Sequence, residues 1–191
     1  MTDIQTILRA MGKRSTVFRG RYTKAGGKLY PMYHKAFSEF QGIGVLDVGC
    51  HIGFYSLFLS NYSPLVIGLD ISTDHISEAE DIRRRAGVDN VKFMAASVLD
   101  LNAEFFRDNS IEGVFIHKSL GHFSKDEWQR MITAFIEGGV QRIVTNVNPK
   151  VLKKDSLITK RVSKHFGNFK WKRFSPLLIC IDLTEGSIKC A

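Results

Sequence analysis

Val45-Leu46-Asp47-Val48-Gly49-Cys50-His51-Ile52-Gly53-Phe54-Tyr55-Ser56 decides how this chain is read. An apolar, β-branched run ends in an acid and a short loop with two glycines four apart; an apolar helix-like run then begins at once. Glycines at such a junction let the backbone turn sharply and approach a ligand closely. The helix that follows offers unpaired N–H groups to a carboxylate or phosphate, while Asp47 at the strand end repels phosphate and welcomes a cation. A dinucleotide fingerprint needs G-x-G-x-x-G after the first strand. Here the spacing is Gly49-x-x-x-Gly53, and Gly42-x-Gly44 precedes the strand. A ligand carrying both an ammonium and a carboxylate fits better. The second strand ends Gly68-Leu69-Asp70, and a carboxylate at that place can accept both hydroxyls of a ribose.

Working outward, short apolar segments alternate with helical ones. Strands are expected at Gly44–Val48, Leu65–Leu69, Val91–Ala95, Gly113–His117, Arg142–Asn146 and Leu177–Leu183. Helices are expected at Phe54–Ser60, Thr73–Ala86, Leu101–Asp108, Lys125–Gly138 and Lys153–Phe166. Ser72 or Thr73 is placed to cap the second of these, and Ser124 with Glu127 forms a capping-box pattern before the fourth. Continuous apolar strands separated by helices predict a parallel sheet covered on both faces. Phe169–Phe174 and Leu177–Leu183 are joined only through Ser175 and Pro176, too short a link for a parallel crossover, so these two pair antiparallel.

VLDVGCHIGF, VIGLDIS, VKFMAASVLDL and GVFIHKSLGHF together resemble the class I S-adenosylmethionine-dependent methyltransferases, over residues 41 to about 183. The resemblance implies an α/β fold: a doubly wound, mostly parallel seven-stranded Rossmann-like sheet of order 3-2-1-4-5-7-6 with the last strand antiparallel. It implies S-adenosyl-L-methionine as cofactor and methyl transfer to an oxygen or nitrogen of a small or anionic acceptor. By position, Asp47, Gly49 and Gly53 correspond to the D-x-G-x-G-x-G loop around the cofactor's methionine part, with His51 standing at the middle glycine. Asp70 corresponds to the ribose-binding acid and Ile71 lies beside it for the adenine. Ser97 stands where the family often has an acid reaching the adenine amine.

Methyl transfer from a sulfonium needs alignment more than acid chemistry, and a base only when the acceptor must lose a proton. The fourth strand ends at His117-Lys118-Ser119-Leu120-Gly121-His122, so His117 or His122 is the candidate base. The plainer alternative is that His117 hydrogen-bonds the loop and His122 caps the next helix. His34, His75 and His165 are scattered without ligand spacing, and no metal site is expected. Cys50 lies inside the cofactor loop, away from a strand end, and the three cysteines form no CxxC pair. The Asn/Asp-Pro-Pro-aromatic signature of exocyclic-amine methylases is absent from the fourth strand's end.

Charge is unevenly spread. Residues 1–40 carry eight Lys/Arg and two acids, residues 150–175 nine and one, and residues 41–149 nine and fourteen. Basic flanks on an acidic body either face an anionic partner, which makes RNA methylation the rival function, or form solvated faces. A non-catalytic, methyltransferase-like binding domain is the third alternative. Residues 1–40 are read as an N-terminal extension or lid and residues 41–191 as the catalytic domain. Tyr30, Tyr33 and Phe37 have the spacing of one buried helix face, which is favoured over a covering role. No apolar run approaches the roughly 20 residues of a membrane span, and the start lacks a signal-peptide pattern. A cytoplasmic location without membrane partners is therefore expected.

Overall fold

The computed structural model describes residues 2–16, 30–119, 122–146, 170–175 and 178–183. Its elements run α1 (Ile4–Met11), α2 (Pro31–Phe37), β1 (Gly44–Val48), α3 (Phe54–Leu59), β2 (Val66–Asp70), α4 (Thr73–Ala86) and β3 (Val91–Ala95). They continue with α5 (Ala103–Asp108), β4 (Ile111–Ile116), α6 (Lys125–Glu137), β5 (Arg142–Asn146), β6 (Lys170–Ser175) and β7 (Leu178–Asp182). The seven strands form one sheet in the order β3-β2-β1-β4-β5-β7-β6. Pairings from β3 through β5 are parallel, and β7 runs antiparallel to both β5 and β6. Order and polarity are those the resemblance implies.

β1 is buried along its whole length, as a central parallel strand must be. Alternation along it divides the core. Val45 faces a cluster built with Ile7 of α1, Phe37 of α2, Phe54 and Leu57 of α3, and Ile82 of α4. Leu46 and Val48 face the other side, against Phe106 of α5 and Trp128 and Phe135 of α6. Asp47 therefore points toward the α3 side, and so does Phe115 of β4, its register partner.

Local chemistry sets the helix ends. The Ser72 side chain accepts from His75 N–H at the start of α4, and Gly87 closes it in a left-handed conformation at φ 64°. Ser124 and Glu127 make the expected capping box on α6. Two elements start two residues away from expectation, and the other boundaries agree to within one residue. In place of one helix from Leu101, a 3₁₀ turn at Val98–Asp100 precedes α5, because the Asn102 side chain accepts from Phe105 N–H and restarts the helix there. β4 begins two residues earlier and ends at Ile116, leaving His117 one position beyond the strand. The expected helix Lys153–Phe166 lies outside the described residues.

The described parts of residues 1–40 join the core. Ile7 and Leu8 are fully buried, Arg85 of α4 donates to the Ala10 carbonyl at 3.0 Å, and Arg14 pairs with Glu78 at 3.1 Å. Tyr33 and Phe37 are buried on one face of α2, as their spacing predicts.

Candidate active site

The loop after β1 is shaped by three left-handed residues at alternate positions: Gly49 (φ 72°), His51 (φ 53°) and Gly53 (φ 78°). His51 thus keeps a glycine-like backbone although it carries a side chain, an uncommon state for a non-glycine residue. Both glycines are needed sterically: a Cβ at Gly49 would strike Ser119 Oγ, and one at Gly53 would strike the Phe93 ring. The N–H groups of Gly49 and Cys50 donate to the Leu69 carbonyl at 2.7 and 2.9 Å, binding the loop to the end of β2.

Asp70 completes that link. Its carboxylate accepts from His51 N–H at 2.9 Å and from Ser72 N–H at 3.0 Å, and lies 3.3 Å from His75 Nδ1. Partial burial works to raise its pKa, but these donors outweigh it and hold the carboxyl below the usual range. The His75 ring, one turn into α4, packs on the His51 ring with centroids 3.9 Å apart. Burial, and then the neighbouring His75, push His51 down. Ile71 follows Asp70 at the carboxyl edge and is 80% exposed, the one large hydrophobic residue so exposed among the described residues.

Asp47 lies beneath the loop and is 2% exposed, with Ser56 Oγ of α3 donating to it at 2.6 Å. Burial pushes its carboxyl up to about 7; the Ser56 hydrogen bond opposes this and repulsion from Asp70 adds to it. Cys50 is buried and its thiol is pushed up by that burial, which keeps it protonated. Ser97, two residues past the end of β3, uses its hydroxyl to accept from Leu99 N–H at 3.2 Å, capping the 3₁₀ turn.

Across β1, the end of β4 carries the second group. His117 continues the alternation of β4, stacking on Phe115 at 5.9 Å between centroids and meeting the Tyr55 ring edge-on at 4.8 Å. Its Nε2 is hydrogen-bonded to the Tyr33 hydroxyl of α2 at 3.2 Å. Burial among these rings, with a smaller contribution from the Lys118 charge, lowers the imidazole pKa to about 4. Lys118 has φ 64°, and its N–H donates to the Asn146 side-chain oxygen at the end of β5. His122 is exposed, with its N–H donating to the Ser119 carbonyl at 3.1 Å. It does not cap α6; Ser124 does.

Asp47, Gly49, His51, Gly53, Asp70 and Ile71 thus gather on one side of the β1 end and His117 on the other. His122 and Ser97 are held by local loop and turn contacts. Sequence reasoning did not single out Ser56, His75, Tyr33, Lys118 or Asn146 as partners of these groups. The position of Ser56 could be inferred from its place three residues past Gly53 on an inward helix face. His75 could be inferred from its place three residues after the Ser72 cap. Among the described residues, no group of three or more His, Cys, Asp or Glu is placed to hold a metal ion. No helix of the described residues is long and apolar enough to cross a membrane.

Comparison with known proteins agrees with this arrangement. Residues 45–137 match the family described as a methyltransferase domain. An uncharacterized RNA methyltransferase of Leptospira interrogans is 25% identical over 134 residues, 70% of this chain but only 31% of that protein. The chain therefore spans about a third of that curated relative. Among solved structures, magnesium protoporphyrin IX methyltransferase from Synechocystis PCC 6803, with bound S-adenosylmethionine, superposes with a TM-score of 0.55. It is 20% identical, covering 95% of this chain and 96% of that one. An rRNA methylase from Streptococcus thermophilus superposes with a TM-score of 0.59 at 13% identity, over 80% of this chain and 94% of that one.

Proposed function

We propose that this chain, whose residues 45–137 match the methyltransferase-domain family, is a class I S-adenosylmethionine-dependent methyltransferase that methylates an oxygen or nitrogen of a small-molecule acceptor. The observation that carries the reading is the pairing of an exposed Ile71 with the Asp70 carboxylate at the carboxyl edge of the sheet. An exposed apolar side chain beside a fixed acid suits a ligand with a flat apolar ring next to hydroxyls, which an adenosine provides. In this reading Asp70 accepts the ribose hydroxyls and Ile71 packs on the adenine, with Ser97 nearby. Gly49, His51 and Gly53 let the backbone approach the methionine part, above the buried Asp47. Bound there, S-adenosylmethionine supplies an electrophilic methyl carbon on a sulfonium that departs as a neutral thioether.

The chain's remaining work is to hold the acceptor in line and keep water out. His117 is the acceptor-facing group in this scheme, oriented by the Tyr33 hydroxyl and walled by Tyr55 and Phe115. With a pKa near 4 it is neutral at pH 7 and serves as a hydrogen-bonding group more readily than as a strong base. His122, exposed in the loop, has the lesser claim. The described part of residues 1–40 supplies Tyr33 to this site, so that extension is proposed to form the acceptor-side wall.

The rival acceptor is RNA, favoured by the name of the Leptospira relative. Against it, the arginines in the described part of residues 1–40 are engaged inside the chain: Arg14 with Glu78, and Arg9 with the Gln5 carbonyl and the Thr6 hydroxyl. Most of the basic flanks, including residues 17–29 and 150–169, lie outside the described residues. Incubation with methyl-labelled S-adenosylmethionine and separate RNA and acidic-metabolite fractions tests the choice. Label is expected in the metabolite fraction, and lost with His117→Ala. Label confined to RNA would move the conclusion to the rival reading.

A further inference from the structure

The acceptor side holds one feature that the methyl-transfer reading leaves unused. The His117 Nε2 is engaged by the Tyr33 hydroxyl at 3.2 Å and its ring is enclosed by Tyr33, Tyr55 and Phe115, which keeps it neutral, so taking a proton from a neutral hydroxyl or amine is poorly served. An oxygen that arrives already ionised needs no base. Its charge, however, must be met once it leaves water for an aromatic-walled site. The neighbouring residue has the chemistry for this. Lys118 is exposed and directly follows His117 just past the end of β4, on the loop whose next residue, Ser119, lies against Gly49.

Its backbone points the same way. Lys118 occupies the left-handed region at φ 64°, which glycine adopts freely and lysine does not. The strained turn is fixed from a different strand: Asn146, at the end of β5, accepts the Lys118 N–H. Ser119 then bears on Gly49, so the same loop touches the β1 loop. A residue whose backbone is held in a disfavoured conformation at the edge of a site, by a tether from a neighbouring strand, is the pattern of a positioned functional group.

We infer that Lys118, set in place by Asn146, recognises the acceptor's charge, and that the acceptor is a small molecule whose carboxylate, phosphonate or phosphate oxygen receives the methyl group. This rests on the methyltransferase reading above and narrows it. The ionised oxygen forms the new O–C bond, the former C–S pair stays with sulfur as the sulfonium becomes a thioether, and no proton moves. Lys118 is then a specificity residue and Asn146 a positioning residue.

The test uses the full chain saturated with S-adenosylhomocysteine, titrated calorimetrically with benzoate, phenylphosphonate and the neutral benzamide. Aromatic probes suit the ring-lined wall, and no turnover is required. At least one of the two anions is expected to bind about tenfold or more tighter than benzamide, a charge-assisted contact's worth. Lys118→Met should erase that gap, Lys118→Arg should keep it, and Asn146→Ala should narrow it, all with S-adenosylhomocysteine affinity unchanged. The tighter anion names the acceptor's acid group. Equal binding of all three probes to the native chain, or a gap that survives Lys118→Met, overturns the inference while leaving the methyltransferase reading in place. Failure of the native chain to bind S-adenosylhomocysteine would overturn that reading instead.

Discussion

The two sides of the β1 end are built in different ways. The proposed cofactor side is nearly continuous in sequence: β1, its loop, α3, β2 and the first turn of α4 supply Asp47 through His75. Its parts hold one another, with Asp70 gripping the His51 N–H and the Leu69 carbonyl taking the N–H groups of Gly49 and Cys50. The proposed acceptor side is gathered from distant pieces: Tyr33 from α2, His117 and Lys118 after β4, and Asn146 from β5. A ligand common to a whole family can be served by one local strand–loop–helix unit. An acceptor peculiar to one protein is met by side chains that only the complete fold brings together.

The largest effect expected from breaking the first side comes at Gly53. Gly53→Val puts a branched side chain into a left-handed backbone and against the Phe93 ring. Backbone strain and overpacking together should destabilise the chain by about 2–5 kcal/mol and remove cofactor binding. Gly87→Ala is the internal control. It has a similar φ of 64° but nothing within 4 Å of the new Cβ, so a loss of only about 1 kcal/mol is expected. Equal losses at the two positions, read by denaturant unfolding, would mean that loop packing contributes nothing special.

The two sides should also carry opposite pH signatures. Asp47 titrates near 7 in the folded chain against 3.8 when unfolded, so between those values the folded state holds the extra proton. Raising the pH through that window therefore costs stability, on the order of 2–3 kcal/mol between pH 5 and 8. Asp47→Asn should remove this loss. His117 works in reverse: its folded value near 4 lies below 6.5, so the unfolded state takes up the proton first and stability falls as the pH drops from 6.5 toward 4. His117→Asn should flatten that acid limb. Unfolding free energies of both variants and the native chain across pH 4–8 separate the contributions. Parallel curves for all three would show that neither group is buried as described.

How much could be read from the sequence follows the same division. The antiparallel pairing of β6 with β7, the Ser72 and Ser124 caps and the Asp47–Gly53 loop were legible because each rests on local pattern or spacing, whereas the sheet order followed only from the family resemblance. The short Ser175–Pro176 link was enough to reverse a strand. Tyr33 was legible only as a core residue, since the periodicity of α2 says that one face is buried and not that a hydroxyl at its edge meets His117. Asn146 was legible only as the last residue of the fifth strand. Its contact with Lys118 depends on β4 and β5 being neighbours, and on β4 ending at Ile116 rather than His117. The positive φ of His51 was signalled only by its place at the middle glycine of the family loop, and that of Lys118 left no mark in residue type. The stacked His51 and His75 rings belong to the same class of contact, joining two elements that the sequence lists 24 positions apart.

The central claim is that the Asp70 carboxylate, beside the glycine-shaped loop, holds the cofactor's ribose. Calorimetric titration of S-adenosylhomocysteine into the native chain and into Asp70→Ala tests it most directly, with thermal melts of both to confirm folding. The native chain should bind. The variant should lose about 1–3 kcal/mol, a weakening from several-fold to about a hundredfold, as polar groups of the ribose lose their partner. An unchanged affinity in a folded Asp70→Ala variant would contradict the account and move the cofactor away from the end of β2.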